Sequence, residues 1–77
     1  MEKISVLLNS IDKVRDFVNI AGSVDCNFDL KSGRYIIDGK SIMGIFSLDL
    51  SQPLEVVGTH ESDRPELVDA FQNFIYQ

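Results

Sequence analysis

The sequence predicts an α/β domain of the α+β kind: a four-stranded antiparallel sheet with three helices on one face and the other face open. Three observations lead there. Stretches of period-two apolar alternation and stretches of three- and four-residue apolar spacing succeed one another in the order βαββαβα. A Ser32-Gly33 turn joins two of the alternating stretches directly, as a hairpin requires. The chain has 77 residues and one cysteine, so it forms one domain, residues 1–77, without a disulfide framework. Drying a single sheet face with amphipathic helices suits so small a core.

Met1 to Leu8 places Ile4, Val6 and Leu8 at period two and predicts the first strand. Asn9 and Ser10 are N-cap residues, and Asp12 sits in the first turn of the helix that follows. Ile11, Val14, Phe17, Val18 and Ala21 line one face of that helix, and Gly22 is placed to end it. Cys26, Phe28 and Leu30 alternate with polar residues in a second strand, and Arg34 to Asp38 forms the third. Ser41 caps a short helix through Ser47, and Pro53 opens a fourth strand with Leu54 and Val56 on one face. Asp63-Arg64-Pro65-Glu66 reads as a capping box with proline in the first turn. Leu67, Val68, Phe71, Phe74 and Ile75 then form the stripe of a last helix.

The formal net charge is −5, and residues 41–77 carry all of it, with six acids against Arg64 alone. An acidic half repels phosphate backbones, so nucleic acid is not an expected partner, whereas a basic protein surface is compatible. No apolar run approaches the roughly 20 residues that span a bilayer, and the opening Met1-Glu2-Lys3-Ile4-Ser5-Val6 lacks the features of a secretion signal. A cytoplasmic location without membrane insertion is expected. The lone Cys26 excludes a multi-cysteine zinc site, and neither metal nor cofactor is expected.

Gly39-Lys40-Ser41 invites a phosphate-loop reading, but Arg34 stands where the motif needs its first glycine. The segment reads instead as a turn and a helix cap. The residues after it are unusually apolar. Ile42, Met43, Ile45, Phe46 and Leu48 surround most of a helix circumference and cannot all face one core, which leaves some of them for an adaptable docking patch.

Over Lys40-Ser41-Ile42-Met43-Gly44-Ile45-Phe46-Ser47-Leu48 the chain resembles the regulatory-serine helix of the HPr family, the small phosphocarriers of the bacterial sugar phosphotransferase system. A weaker likeness extends over nearly the whole chain, and Val18 to Lys31 aligns without gaps onto the family's first helix and second strand. The resemblance implies an open-faced β-sandwich. It also implies phosphotransfer through a His-Ala-Arg-Pro stretch at the start of the first helix, whose histidine nitrogen carries the phosphate. Here Ser10 falls at the histidine position, Ile11 at the alanine, Asp12 at the arginine and Lys13 at the proline. Serine makes a phosphate ester of low transfer potential, and Asp12 places a negative charge where the anion should sit. The sole histidine, His60, falls in the turn after the fourth strand and reads as a solvated loop residue.

Ser41 matches the family's regulatory serine, phosphorylated in Gram-positive bacteria by an ATP-dependent kinase to bind a catabolite-control transcription factor. A phosphate at a helix N-cap meets free amides, so modification need not unfold the chain. The resemblance therefore implies protein partners: a serine kinase, a catabolite-control regulator or other phosphotransferase components. Lys40, Ile42, Met43, Phe46 and Leu48 are the expected contact residues. The expectation is a docking or regulatory module and not an enzyme. The alternative is a genuine phosphocarrier with Ser10 as an unusual acceptor.

Overall fold

The computed structural model describes residues 4–76. Its elements run β1 (Ile4–Val6), α1 (Ile11–Ser23), β2 (Phe28–Ser32), β3 (Tyr35–Asp38), α2 (Ile42–Phe46), β4 (Leu54–Gly58) and α3 (Arg64–Ala70), with single 3-10 turns at Glu61–Asp63 and Gln72–Phe74. The four strands form one antiparallel sheet in the order β1-β4-β2-β3. This is the α+β arrangement expected from the alternation of periods.

Side chains alternate across each strand, so one sheet face collects Ile4, Val6, Phe28, Leu30, Leu54 and Val56, all buried. Against it lie Val14, Phe17 and Ala21 of α1, Ile45 of α2, and Leu67 and Phe71 at the end of α3. At the centre the Phe17 and Phe71 rings stack at 4.3 Å, and Phe28 and Phe74 meet Phe17 edge-on at 6.1 and 5.8 Å. The ring edges and faces have opposite partial charge, so these offset contacts add to plain area burial. Phe46 is the one phenylalanine outside this cluster.

Two glycines have separate structural reasons. Gly33 adopts φ +59 at the first position of the two-residue β2–β3 turn, a backbone conformation that L side chains resist. Gly39 is buried under the Phe28 ring, where a Cβ would lie 2.1 Å from Phe28 Cε2. Its place in the sequence therefore reflects close packing of a ring on backbone, and not a phosphate-binding loop.

Several boundaries depart from the sequence reading. The first strand is confined to Ile4–Val6, with Leu8 buried beyond its end, and residues 1–3 of the expected strand lie outside the described residues. Gly22 does not end α1. The helix runs to Ser23, where Val24 turns extended and buries its side chain while Ser23 Oγ donates to the Ile20 carbonyl at 2.7 Å. Cys26 precedes β2 in a half-buried bend, and Arg34 belongs to the hairpin turn.

The capping box at Asp63 does not form. A 3-10 turn delivers Asp63 in a helical conformation (φ −80, ψ −13), from which its carboxylate makes no cap, and Glu66 Oε2 accepts instead from the Asp25 amide at 3.3 Å. The last helix also stops early, at Ala70. Ile75 is extended and bridges Val6 antiparallel, with Leu7 N donating to Phe74 O at 3.0 Å and Tyr76 N to Ser5 O at 2.8 Å. Continuing the helix would have left those β1 groups at a bare sheet edge. Pairing with β1 outweighs the apolar spacing that favoured a longer helix.

Candidate interaction surface around helix α2

The entry to α2 is fixed by three contacts with its surroundings. The Lys40 amide donates to Asp38 Oδ1 at 3.0 Å and the Ser41 amide to the Asp38 carbonyl at 3.1 Å. Lys40 Nζ donates to the Val24 carbonyl at 2.7 Å, tying this loop to the end of α1. Ser41 is extended (φ −95, ψ 107), and its Oγ accepts from the Gly44 amide at 3.2 Å, the N-cap bond expected of this residue. At Gly44 an added Cβ would lie 3.1 Å from Ile37 Cδ1, so a small residue there lets α2 lie against β3.

Five residues of helix cannot bury four apolar side chains against one sheet. Ile45 goes inward and is fully buried. Ile42, Met43 and Phe46 remain 43%, 79% and 45% exposed. They form an apolar surface of one branched, one thioether and one aromatic side chain, and the thioether adapts readily to an irregular partner. Leu48 behaves differently. It is half-buried, packing against the core just past the helix. Lys40 likewise spends its ammonium on the Val24 carbonyl.

At the start of α1 the polar side chains engage groups of their own segment. Ser10 Oγ accepts from the Lys13 amide at 3.1 Å and serves as the N-cap. Lys13 Nζ donates to Asn9 Oδ1 at 3.1 Å, and Arg15 Nη2 lies 2.8 Å from Asp12 Oδ1. That ion pair is open to solvent and worth only about 0–1 kcal/mol, yet it engages the nearest guanidinium with a carboxylate of the same helix. Ile11 at the first helical position is 73% exposed. Sequence reasoning placed it on the buried face, but the first turn projects beyond the core.

His60 lies in the turn between β4 and α3, with Nδ1 3.7 Å from Asp63 Oδ2 and its side chain largely exposed. The Cys26 thiol is pushed up from its ordinary value by burial and then by the carboxylates of Glu66 and Asp63. It stays protonated at neutral pH, the opposite of an activated nucleophile. Among the described residues no cluster of three or more His, Cys, Asp or Glu could hold a metal ion. No helix among them is long and apolar enough to cross a membrane.

The sequence reading missed one exposed apolar element. Tyr35 and Ile36 on β3 are 70% and 60% exposed. The alternation of Tyr-Ile-Ile-Asp identified a strand, but nothing local says that the strand closes the sheet.

No family model matches the sequence, and no curated protein matches it. Among solved structures, the crystal structure of HPr-C-His from Thermoanaerobacter tengcongensis matches with a TM-score of 0.76 over 97% of this chain and 91% of that one. The two sequences are 22% identical. The chain has the HPr fold. The open-faced sandwich expected from the Lys40 to Leu48 resemblance is therefore what the molecule forms.

Proposed function

We propose that this chain is an HPr-like protein of the phosphotransferase-system type that works in the cytoplasm as a docking module. It binds protein partners through Ile42, Met43 and Phe46, with Ser41 beside them as a site of regulatory phosphorylation. The observation that carries this reading is the exposure of those three apolar side chains on a helix whose N-cap is Ser41. In this account the module acts by binding and not by catalysis.

Two further features support it. A phosphate on Ser41 would stand where the side chain already accepts from the Gly44 amide, so modification would add charge without displacing α2. At the start of α1, Ser10 serves as a cap and Asp12 holds Arg15, which disfavours phosphate carriage at that point. A phosphocarrier using Ser10 is the competing reading. It would need Asp12, an anion, to tolerate a second anion in the same helical turn.

The test is to treat the protein with ATP and an HPr serine kinase, then titrate the product with a catabolite-control regulator. Phosphate is expected on Ser41 and is lost in Ser41→Ala. Met43→Ala and Phe46→Ala are each expected to weaken regulator binding by about 1–2 kcal/mol, roughly 5- to 30-fold, with thermal stability unchanged. Unlabelled wild-type protein, or labelling that persists in Ser41→Ala, would remove the phosphorylation site. A large fall in melting temperature for the alanine variants would show these side chains to be core.

A further inference from the structure

The two edges of the sheet are treated differently. At β1, the chain around Ile75 comes back and pairs with it. At β3, the last strand in the order β1-β4-β2-β3, no other described strand pairs along the outer side. Sheet edges of soluble proteins are normally covered, shortened or protected by charge within the strand. Here the strand is short, Tyr35–Asp38, with Asp38 the one charge within it and Tyr35 and Ile36 exposed.

The hydrogen-bond phase of β3 determines what its free edge offers. Asp29 faces Asp38, Lys31 faces Ile36, and Ser32 faces Tyr35. Continuing this register pairs Phe28 with Gly39, and the Gly39 amide does donate to the Phe28 carbonyl at 2.9 Å. In an antiparallel ladder bonded and non-bonded pairs alternate, so Leu30–Ile37 bonds while Lys31–Ile36 and Asp29–Asp38 do not. The backbone N–H and C=O of Ile36 therefore point out of the sheet. The outward Asp38 carbonyl already accepts from the Ser41 amide, which leaves Ile36 as the centre of the free edge.

The charges flank that centre symmetrically. Arg34 lies two residues before Ile36 and Asp38 two residues after it. Both are exposed, and neither belongs to an ion pair among the described residues. We infer that β3 is an interface for a second copy of this chain, pairing antiparallel across a two-fold axis at Ile36. In that register Ile36 exchanges both backbone hydrogen bonds with its symmetry mate, and Tyr35 faces the second copy's Ile37. Each Arg34, in the turn just before the strand, brings a cation to the end of the ladder where the other copy's Asp38 stands. The contact is isologous and self-limiting, and it joins two four-stranded sheets into one. It also gives Asp38, which faces Asp29 within its own sheet, a cation in place of a like charge alone. This surface is separate from the α2 residues proposed to dock other proteins, so either inference can fail without the other.

The experiment is sedimentation equilibrium of the full chain from low micromolar to near-millimolar concentration. Wild type is expected to pass from monomer to dimer and no further. Arg34→Asp and Asp38→Arg should each weaken dimerisation on the order of tenfold or more, since like charges then oppose at both ends. An equimolar mixture of the two variants should recover the dimer, because each supplies the charge that the other lacks. Asp38→Asn, which keeps an acceptor for the Lys40 amide, separates charge loss from any disturbance of the turn; it should weaken the dimer while circular dichroism stays native. A wild type that remains monomeric throughout, or forms larger assemblies, overturns the inference. So does a dimer that is indifferent to the two charge reversals and to their mixing, since it would use another surface.

Discussion

Phe17→Ala is expected to destabilise the domain by about 3–5 kcal/mol, the usual cost of removing a buried phenylalanine together with the cavity it leaves. Phe17 is fully buried and touches three other rings, stacking on Phe71 and meeting Phe28 and Phe74 edge-on. The void would therefore open where α1, β2 and the C-terminal segment converge, and none of the three can move in without breaking contact with the other two. Domains of this size are stable by only roughly 5–10 kcal/mol, so the variant should lose a large share of the wild-type stability. Urea unfolding followed by circular dichroism reads the effect directly. Phe46→Ala is the internal comparison: the same deletion at a half-exposed side chain should cost a small fraction as much. Equal losses at the two positions would show that the aromatic cluster is not the centre of the core.

Gly39→Ala is expected to cost about 1–3 kcal/mol, as overpacking of a well-filled core does. The added methyl would lie 2.1 and 2.3 Å from Cε2 and Cδ2 of Phe28. The Phe28 ring is held by Phe17 and Phe71 and is almost fully buried, so it cannot simply swing away. Gly22→Ala provides the contrast. Nothing lies within 4 Å of a Cβ at Gly22, which sits in the last turn of α1 without a positive φ. That substitution should stabilise the domain by about 0.4–1 kcal/mol by restricting the unfolded chain and improving helix propensity. Thermal melts of the two variants should move in opposite directions. A neutral Gly39→Ala would mean that the ring relaxes freely, and the packing account of that glycine would fail.

The parts of the fold that were legible in the sequence are those fixed by near neighbours. Ser10 and Ser41 both cap the helices they precede, because an N-cap bond reaches only three residues. Gly33 turns the hairpin, since two residues decide it. The crowding of apolar residues after Ser41 correctly implied that some would remain outside, a counting argument independent of tertiary detail. Features set by distant partners were not legible. Glu66 looks like half of a capping box until Asp25, 41 residues earlier, offers its amide. Phe74 and Ile75 continue a helical spacing, but the β1 backbone competes for that stretch of chain and wins it. Lys40 reads in the sequence as a contact residue beside Ser41, and only the fold shows its ammonium donating to the Val24 carbonyl at the end of α1. The bare edge at β3 follows from strand order, a property of the whole sheet that no local pattern in Tyr35–Asp38 encodes.

The candidate site divides along the same line. Local crowding implied exposed apolar side chains on α2 and local capping implied a cap at Ser41; Ile42, Met43 and Phe46 are exposed and Ser41 caps the helix. The start of α1 is occupied by an Asp12–Arg15 pair and a serine cap, an arrangement that the sequence alone showed only as missing residue types. An HPr fold that docks without carrying phosphate at that position is the central claim. The direct measurement is intact mass after incubation with phosphoenolpyruvate and the general phosphotransferase enzyme, taken before and after brief acid treatment. The account predicts an unchanged mass in both. A gain of one phosphate, above all one that acid removes, would contradict it.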